Sequence, residues 1–306
     1  MRLVFAGTPD AAVPTLRLLA ASDHDVVAVV TRTDAPLGRK RVLTPTPVAQ
    51  AAADLGIPII KADRLDDAAT EAIGALSPDL GVIVAYGGLV REPLLSLPER
   101  GWINLHFSLL PRWRGAAPVQ RALIAGDRET GAAVFQLVPA LDAGDVYTQL
   151  TIPTPESTAG ELLDDLAVRG ADLVVEVVDS LATGTAHATP QTGEATMAPK
   201  LTLDDGRVRW GEPRDAVLGR IWGVTPEPGA HTTLDGARLK LLAVSRAPVG
   251  TSPLAPGELA LVDRAVHAGT ASDPIVLDLV QPAGKGAMRA ADWWRGLRVE
   301  GKVIAS

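Results

Sequence analysis

Trp102-Ile103-Asn104-Leu105-His106-Phe107-Ser108-Leu109-Leu110-Pro111-Arg112-Trp113-Arg114-Gly115 begins as a strand and ends as a loop, and the rest of the chain is read around it. Side chains alternate faces along a strand. Ile103, Leu105 and Phe107 therefore fall on one face, and Asn104, His106 and Ser108 on the other. The apolar set suits a core. The polar set leaves on one side, where Pro111 ends the ladder. In open α/β sheets, ligands sit beyond the carboxyl ends of the strands. An amide, an imidazole and a hydroxyl aligned there form a candidate catalytic edge. A lone histidine is more often a satisfied core residue, but three polar residues in register, followed by two arginines, tip the balance towards function.

Upstream, residues 2–6 read as a buried strand. Gly7-Thr8-Pro9-Asp10 reads as the turn into a helix over 11–21, with Asp10 or Thr8 as its cap. Only one glycine precedes that helix, so the dinucleotide fingerprint GxGxxG is missing. Residues 25–30 form a second apolar strand. Residues 31–47 make an oversized strand-to-helix connection, carrying Arg32 and the run Arg39-Lys40-Arg41 beside Gly38. Such a run is either a solvated loop or a phosphate-contacting arm. Helical patterns follow at 47–55 and 66–76, and strands at 57–60 and 80–85. The last strand ends at Tyr86-Gly87-Gly88, where glycine lets backbone approach a ligand.

Downstream, 115–124 is a helix with Pro118 near its first turn. Residues 131–138 and 145–152 are strands, and 157–181 is an amphipathic helix with a capping box from Thr158 to Glu161. Apolar strands alternating with helices specify an α/β, Rossmann-like, mostly parallel sheet with helices on both faces. Over 182–206 the apolar periodicity fades into Gly, Thr, Ala, Gln and Pro. The expected division is a first domain at 1–186, a linker at 187–206 and a second domain at 207–306. In the last, short strand-like runs between Gly, Pro and Asp turns have the pattern of a small all-β barrel.

Composition narrows the chemistry. Of 306 residues, 47% are hydrophobic and 21% charged, which is ordinary globular composition. There is no cysteine, which excludes a thiolate nucleophile, a disulfide framework and a Cys-based zinc site. The five histidines lack HxxxH spacing, so no metal is expected. The opening apolar run is too short for a signal peptide and no later run would span a bilayer, so a cytoplasmic protein without a membrane partner is expected. The net charge of −7 is concentrated before residue 202, and the remainder is near neutral. Any RNA contact must therefore rest on local basic clusters.

Asn104 and His106 need a third member. Asp142, in a turn loosened by Gly144, reaches His106 if the strand 131–138 lies beside the central one. A carboxylate beside imidazole fixes its tautomer and stabilises imidazolium. The plain alternative is a turn former in Asp-Ala-Gly-Asp. No G-x-S-x-G elbow is present, so the attacking group comes from the substrate. Asn104 and a protonated His106 would then hold a developing oxyanion, with Asp142 holding the imidazolium and assisting proton removal.

The motifs resemble those of the folate-dependent formyltransferase family. The resemblance is carried by Phe5-Ala6-Gly7-Thr8-Pro9-Asp10, by Asn104-x-His106-x-Ser108-Leu109-Leu110-Pro111 with Arg112-Trp113-Arg114-Gly115-Ala116-Ala117-Pro118, and by Leu141-Asp142-Ala143-Gly144-Asp145. Pro228-Gly229-Ala230-His231 and Gln281-Pro282-Ala283-Gly284-Lys285 extend it to the C-terminal region. It implies transfer of a formyl group from 10-formyltetrahydrofolate to the α-amine of methionine on initiator tRNA. It also implies Asn104, His106 and Asp142 as catalytic residues, and folate against Ser108, Leu109, Leu110 and Pro111 and the turn at Tyr86 and Gly87. Arg39, Lys40 and Arg41 would lie near the tRNA, and an OB-like C-terminal domain would bind tRNA with them. A monomer is expected. Three alternatives stay open: a formyltransferase acting on a small amine, a formyltetrahydrofolate hydrolase, and a non-catalytic RNA-binding module.

Overall fold

The computed structural model describes residues 1–38, 41–297 and 302–306. The chain divides into two compact units, the first built from 1–118, 129–152 and 163–198, and the second from 119–128, 153–162 and 199–306.

The first unit is organised on a seven-stranded sheet. Its order is Val146–Pro153, Glu129–Gln136, Trp102–His106, Leu80–Val84, Arg2–Gly7, Asp25–Thr31 and Ile59–Lys61. The five strands from Trp102–His106 to Ile59–Lys61 are parallel, and every residue of Leu80–Val84 is buried. Such continuous apolar runs are what a sheet covered on both faces requires. Glu129–Gln136 then enters antiparallel to the central strand, pairing Asn104 with Phe135 and His106 with Ala133. The face of the central strand that carries Trp102 is covered by Val90, Leu94 and Leu95, and the indole Nε1 donates to the Leu94 carbonyl at 2.8 Å. On the other face, helix Ala159–Thr183 comes so close at Gly170 that a Cβ there would lie 3.0 Å from the Leu105 side chain.

Local chemistry sets the element ends. Thr46 accepts from the Ala49 N–H at 3.0 Å, just ahead of Pro47–Asp54. The Thr158 hydroxyl accepts from the Glu161 N–H while the Glu161 carboxylate accepts from the Thr158 N–H, the reciprocal box read from the sequence. The expected cap of the first helix is different. The α-helix is Val13–Ala20, behind a 3-10 turn at Asp10–Ala12, and among the described residues no N-cap side chain bonds to either. Pro14 has no N–H to give and therefore belongs in the first turn, while the Thr8 hydroxyl donates instead to the Tyr86 carbonyl. Within the long connection after Asp25–Thr31, Ala35–Leu37 and Val42–Thr44 pair as short antiparallel strands.

Residues 187–198 are also structured against the first unit. Val146 and Thr189 exchange backbone hydrogen bonds at 2.9 Å, and Met197–Ala198 pairs in parallel with Arg114–Gly115.

The second unit carries an antiparallel sheet ordered His231–Leu234, Ala237–Arg246, Ile275–Pro282, Ala265–Ala268, Glu258–Val262 and Val303–Ile304, with Met288–Arg289 on Ile275–Pro282. Thr233 and Ser306 exchange backbone hydrogen bonds at 2.8 and 2.9 Å, linking the first strand to the chain beyond the last and closing the sheet into a barrel. Trp210, Leu241, Val266, Leu277, Val280 and Trp293 fill its core. The residues drawn from earlier in the chain are integral to this unit. A Cβ on Gly219, in helix Arg214–Gly223, would lie 2.5 Å from the Leu123 carbonyl oxygen. Arg121 pairs with Asp205 at 2.9 Å and Arg246 with Glu156 at 2.6 Å.

Candidate active site

The carboxyl ends of Leu80–Val84 and Trp102–His106 open into a cleft of about 480 Å³, a size suited to a small-molecule ligand. Asn104, His106 and Asp142 line it together with Tyr86, Gly87 and Leu89. Its remaining walls are mostly apolar and include Phe107, Ala116, Pro118 and Leu141. Another hollow, of about 500 Å³, is lined by Thr33, Lys61, Asp63 and Asp66 among others. Of its polar groups, Lys61 pairs with Asp34, Thr33 with Asp63, and Asp66 accepts from the Ala69 N–H.

His106 ends the central strand and is 6% exposed. The Phe135 ring meets it edge-on at 6.3 Å from the neighbouring strand. Its Nε2 lies 2.8 Å from the Trp113 carbonyl oxygen. A carbonyl only accepts, so Nε2 carries the proton, and in the neutral ring Nδ1 keeps its lone pair. That Nδ1 is 3.9 Å from Asp142 Oδ2, beyond hydrogen-bond range and well within electrostatic range. Burial pushes the imidazole below its ordinary pKa, opposed by the charge of Asp142 and by the bond to Trp113. Burial thus favours the neutral form of the ring, whereas the imidazolium expected from the sequence is the form that Asp142 and the bond to Trp113 support. The sequence signal concerned residue types, whereas the charge state follows from how deeply the ring is buried.

Asp142 is buried in a turn whose neighbours 138–141 are exposed. Its own φ of 47° is left-handed, a conformation that Asp tolerates better than most residues. Oδ2 accepts from the Gly115 N–H at 2.7 Å, which fixes the carboxylate beside the imidazole. Gly115 itself has φ 124°, and a Cβ there would lie 2.8 Å from the Ala198 carbonyl oxygen, so only glycine presents its N–H at that spot. Asn104 projects into the cleft with no protein hydrogen bond to its amide among the described residues.

The turn after Leu80–Val84 presents backbone. The Tyr86 ring is buried, and its hydroxyl donates to the Ala62 carbonyl at 2.6 Å. Gly88 lies over that ring, where a Cβ would be 2.5 Å from Cε1. Arg32 donates to the Gly87 carbonyl at 2.5 Å and the Tyr86 carbonyl at 3.4 Å. Arg32 thus braces this turn, a role its place in a basic stretch did not indicate.

Ser108, Leu109, Leu110 and Pro111 do not line this cleft. The Ser108 hydroxyl is spent inside the loop, donating to the Arg112 carbonyl at 2.6 Å, and Leu110 packs with Ala133 and Phe135. Arg39 and Lys40 lie outside the described residues, while Arg41 is exposed at the hairpin with φ 50°. Among the described residues, no three His, Asp or Glu side chains converge as metal ligands, and no helix is long and apolar enough to cross a membrane. The Trp113 carbonyl and the Gly115 N–H were missed from the sequence because backbone groups leave no residue-type signature. Gly115 alone offered a hint, as a glycine next to a polar strand end.

Comparison with known proteins places the chain in a family. The formyl transferase family matches residues 1–178, and the formyl transferase C-terminal domain matches 200–298. Methionyl-tRNA formyltransferase of Clavibacter sepedonicus is 63% identical over 306 residues, covering 100% of each chain. The enzyme of that name from Leifsonia xyli subsp. xyli is 62% identical over 297 residues, 97% of each. Among solved structures, methionyl-tRNA formyltransferase from Clostridium thermocellum has a TM-score of 0.58 at 13% identity, over 94% of this chain and 100% of that one. HypX from Aquifex aeolicus in complex with tetrahydrofolic acid has a TM-score of 0.66 at 18% identity, over 99% of this chain and 50% of that one. At such identities the likeness is one of fold. With both domains matched and end-to-end relatives at this identity, the chain belongs to the formyl transferase family.

Proposed function

We propose that the chain transfers the formyl group of 10-formyltetrahydrofolate to the α-amino group of methionine on initiator tRNA, giving N-formylmethionyl-tRNA for translation initiation. Full-length relatives at 62–63% identity, both methionyl-tRNA formyltransferases, support the substrate. One observation carries the chemistry: His106, its Nε2 bonded to the Trp113 carbonyl and its Nδ1 3.9 Å from Asp142, shares an apolar cleft with the Asn104 amide.

The cleft suits the donor. Its apolar walls would cover a reduced pterin, and the backbone edge of 85–89, braced by Arg32, offers polar contacts without charge. The folate supplies an activated formyl carbon. The Asn104 amide donates to the formyl oxygen as negative charge gathers there, and one such donor contributes about 3 kcal/mol. His106 Nδ1 takes the proton that the attacking amine loses as its nitrogen–carbon bond forms. The imidazolium so produced faces Asp142, and the proton passes on to the folate nitrogen as its bond to the formyl carbon breaks. No enzyme side chain is acylated in this scheme.

In this reading Ser108, Leu109, Leu110 and Pro111 shape the loop that delivers the Trp113 carbonyl, and folate is held against Tyr86 and Gly87. Arg39, Lys40 and Arg41 and the C-terminal barrel contact tRNA. The enzyme works as a monomer in the cytoplasm, where aminoacylated tRNA is made and used. The test is transfer of labelled formyl from 10-formyltetrahydrofolate with methionyl initiator tRNA, uncharged tRNA, a small amine, or no RNA. Label should enter acid-precipitable RNA only in the first arm. Label on the small amine, or free formate without RNA, overturns the reading.

A further inference from the structure

Gln191 lies in a stretch of small and polar residues, with 192–195 exposed, yet is itself half-buried. Its amide uses every hydrogen-bonding position it has. Oε1 accepts from Arg114 Nη2 at 2.6 Å and Nε at 3.2 Å. Nε2 donates to the carbonyl oxygens of Asp142 at 2.9 Å and Gly144 at 2.8 Å. Guanidinium only donates and carbonyls only accept, so the orientation of the amide is unambiguous. The Gly115 N–H, next to Arg114, donates to Asp142 Oδ2. A closed circuit results: Gln191 to the Asp142 backbone, along that residue to its carboxylate, to Gly115, to Arg114, and back to Gln191.

We propose that Gln191 is a positioning residue for formyl transfer. Its amide ties the 142–144 turn to Arg114 and thereby keeps the Asp142 carboxylate beside His106 Nδ1. The inference rests on the reading of Asp142 and His106 given above. The turn needs such a tie. Asp142 is left-handed, 138–141 are exposed, and the carbonyls of 142 and 144 point out of the turn towards Gln191. Without the two amide donors the backbone is free to relax, and the 3.9 Å spacing to the imidazole relaxes with it. Misplacement by about 1 Å costs on the order of 100-fold in rate.

Two variants separate positioning from bulk. Gln191→Ala removes the whole tie. Gln191→Glu keeps its volume and its contact with Arg114 but turns the two donors into acceptors facing carbonyls. Both should lower kcat by about 100-fold, with KM for folate and for charged tRNA within about threefold, because Gln191 does not line the cleft of Asn104, His106 and Asp142. The acid limb of the kcat profile should move to lower pH, since a displaced Asp142 no longer supports charge on His106. Wild-type kcat in Gln191→Glu, or a loss confined to KM, overturns the proposal.

The decisive measurement is a cycle with Asp142→Asn, read by single-turnover transfer of labelled formyl. If Gln191 acts through the carboxylate, adding Gln191→Ala to Asp142→Asn slows the reaction by less than about twofold. A further loss of about 100-fold would make Gln191 merely structural and sink the proposal. If Asp142→Asn alone retains near-normal turnover, the reading of Asp142 fails, whatever Gln191 does. An unfolding midpoint for each variant confirms that folded protein is being assayed, and the isosteric Gln191→Glu serves if Gln191→Ala does not fold.

Discussion

Replacing Asp142 by Asn removes one charge and almost nothing else. Asn tolerates the same left-handed backbone, and its amide oxygen can accept from the Gly115 N–H as the carboxylate does now at 2.7 Å. What disappears is a negative charge 3.9 Å from His106 Nδ1. At an effective dielectric of about 20, that pair interaction is worth about 4 kcal/mol once the imidazole is charged. At 1.36 kcal/mol per decade, a step that fully charges His106 slows by about three powers of ten. The assay is single-turnover transfer of labelled formyl to methionyl initiator tRNA at saturating folate, across pH 5.5–9 as roughly the usable range. If His106 works as a base in the parent enzyme, the rate rises with pH as the ring loses its proton. Burial places that limb below the ordinary histidine value. Asp142 opposes the effect of burial, so the Asn variant should show a limb at still lower pH and a plateau about a thousandfold lower. The substrate's own amine titrates near 7.7–8.0, as a roughly constant limb in both enzymes, and cancels in the comparison. Turnover within tenfold of the parent, or a limb that stays put, would refute the base assignment.

Other outcomes are equally definite. Arg32→Ala unties the Tyr86 and Gly87 carbonyls and should raise KM for folate about tenfold with kcat nearly unchanged, as expected for lost uniform binding; a kcat effect would place Arg32 in the chemical step. Changing Arg39, Lys40 and Arg41 together to Ala should reduce the slope of log affinity for tRNA against log salt by about one unit per lost phosphate contact, and an unchanged slope would mark them as plain solvated charge. His267 is 4% exposed with no hydrogen-bond partner for Nδ1 among the described residues, and burial lowers its pKa against the opposing charge of Asp263. The folded ring thus binds fewer protons than the unfolded one, and its share of stability is lost as pH falls from the ordinary histidine value through the folded value. His267→Leu should therefore raise Tm more at pH 5.5 than at pH 7.5, by a difference on the order of 3 °C in calorimetry; equal shifts at both pH values would contradict this.

Residues 102–107 were legible because a period of two survives in sequence, and Asn104 and His106 do reach the cleft. Leu105 and Phe107 are buried as expected, yet they touch the cleft too, because the end of a strand is seen by the ligand from above as well as from one face. The box at Thr158 and Glu161 was readable because it spans three positions. What was not readable depends on distant partners. The antiparallel entry of Glu129–Gln136 is a fact of topology. The fate of the Ser108 hydroxyl depends on a tight turn back to Arg112. Gln191 meets Asp142 across 49 positions, from a stretch whose composition reads as a mere connector. Residue types and short spacings carry information about chemistry; charge state, tautomer and bracing come only with the fold.

The interleaved make-up of the second compact unit limits how the chain can be taken apart. A barrel excised at the sequence boundary near 200 would leave behind the 119–128 and 153–162 segments. The glycine of helix Arg214–Gly223 that abuts Leu123 would then face water, and Asp205 and Arg246 would lose Arg121 and Glu156. The C-terminal domain is thus no cassette to be grafted onto another enzyme by a single crossover. A donor would have to contribute both inserts as well, so chimeras in this family are expected to inherit the two domains as a set.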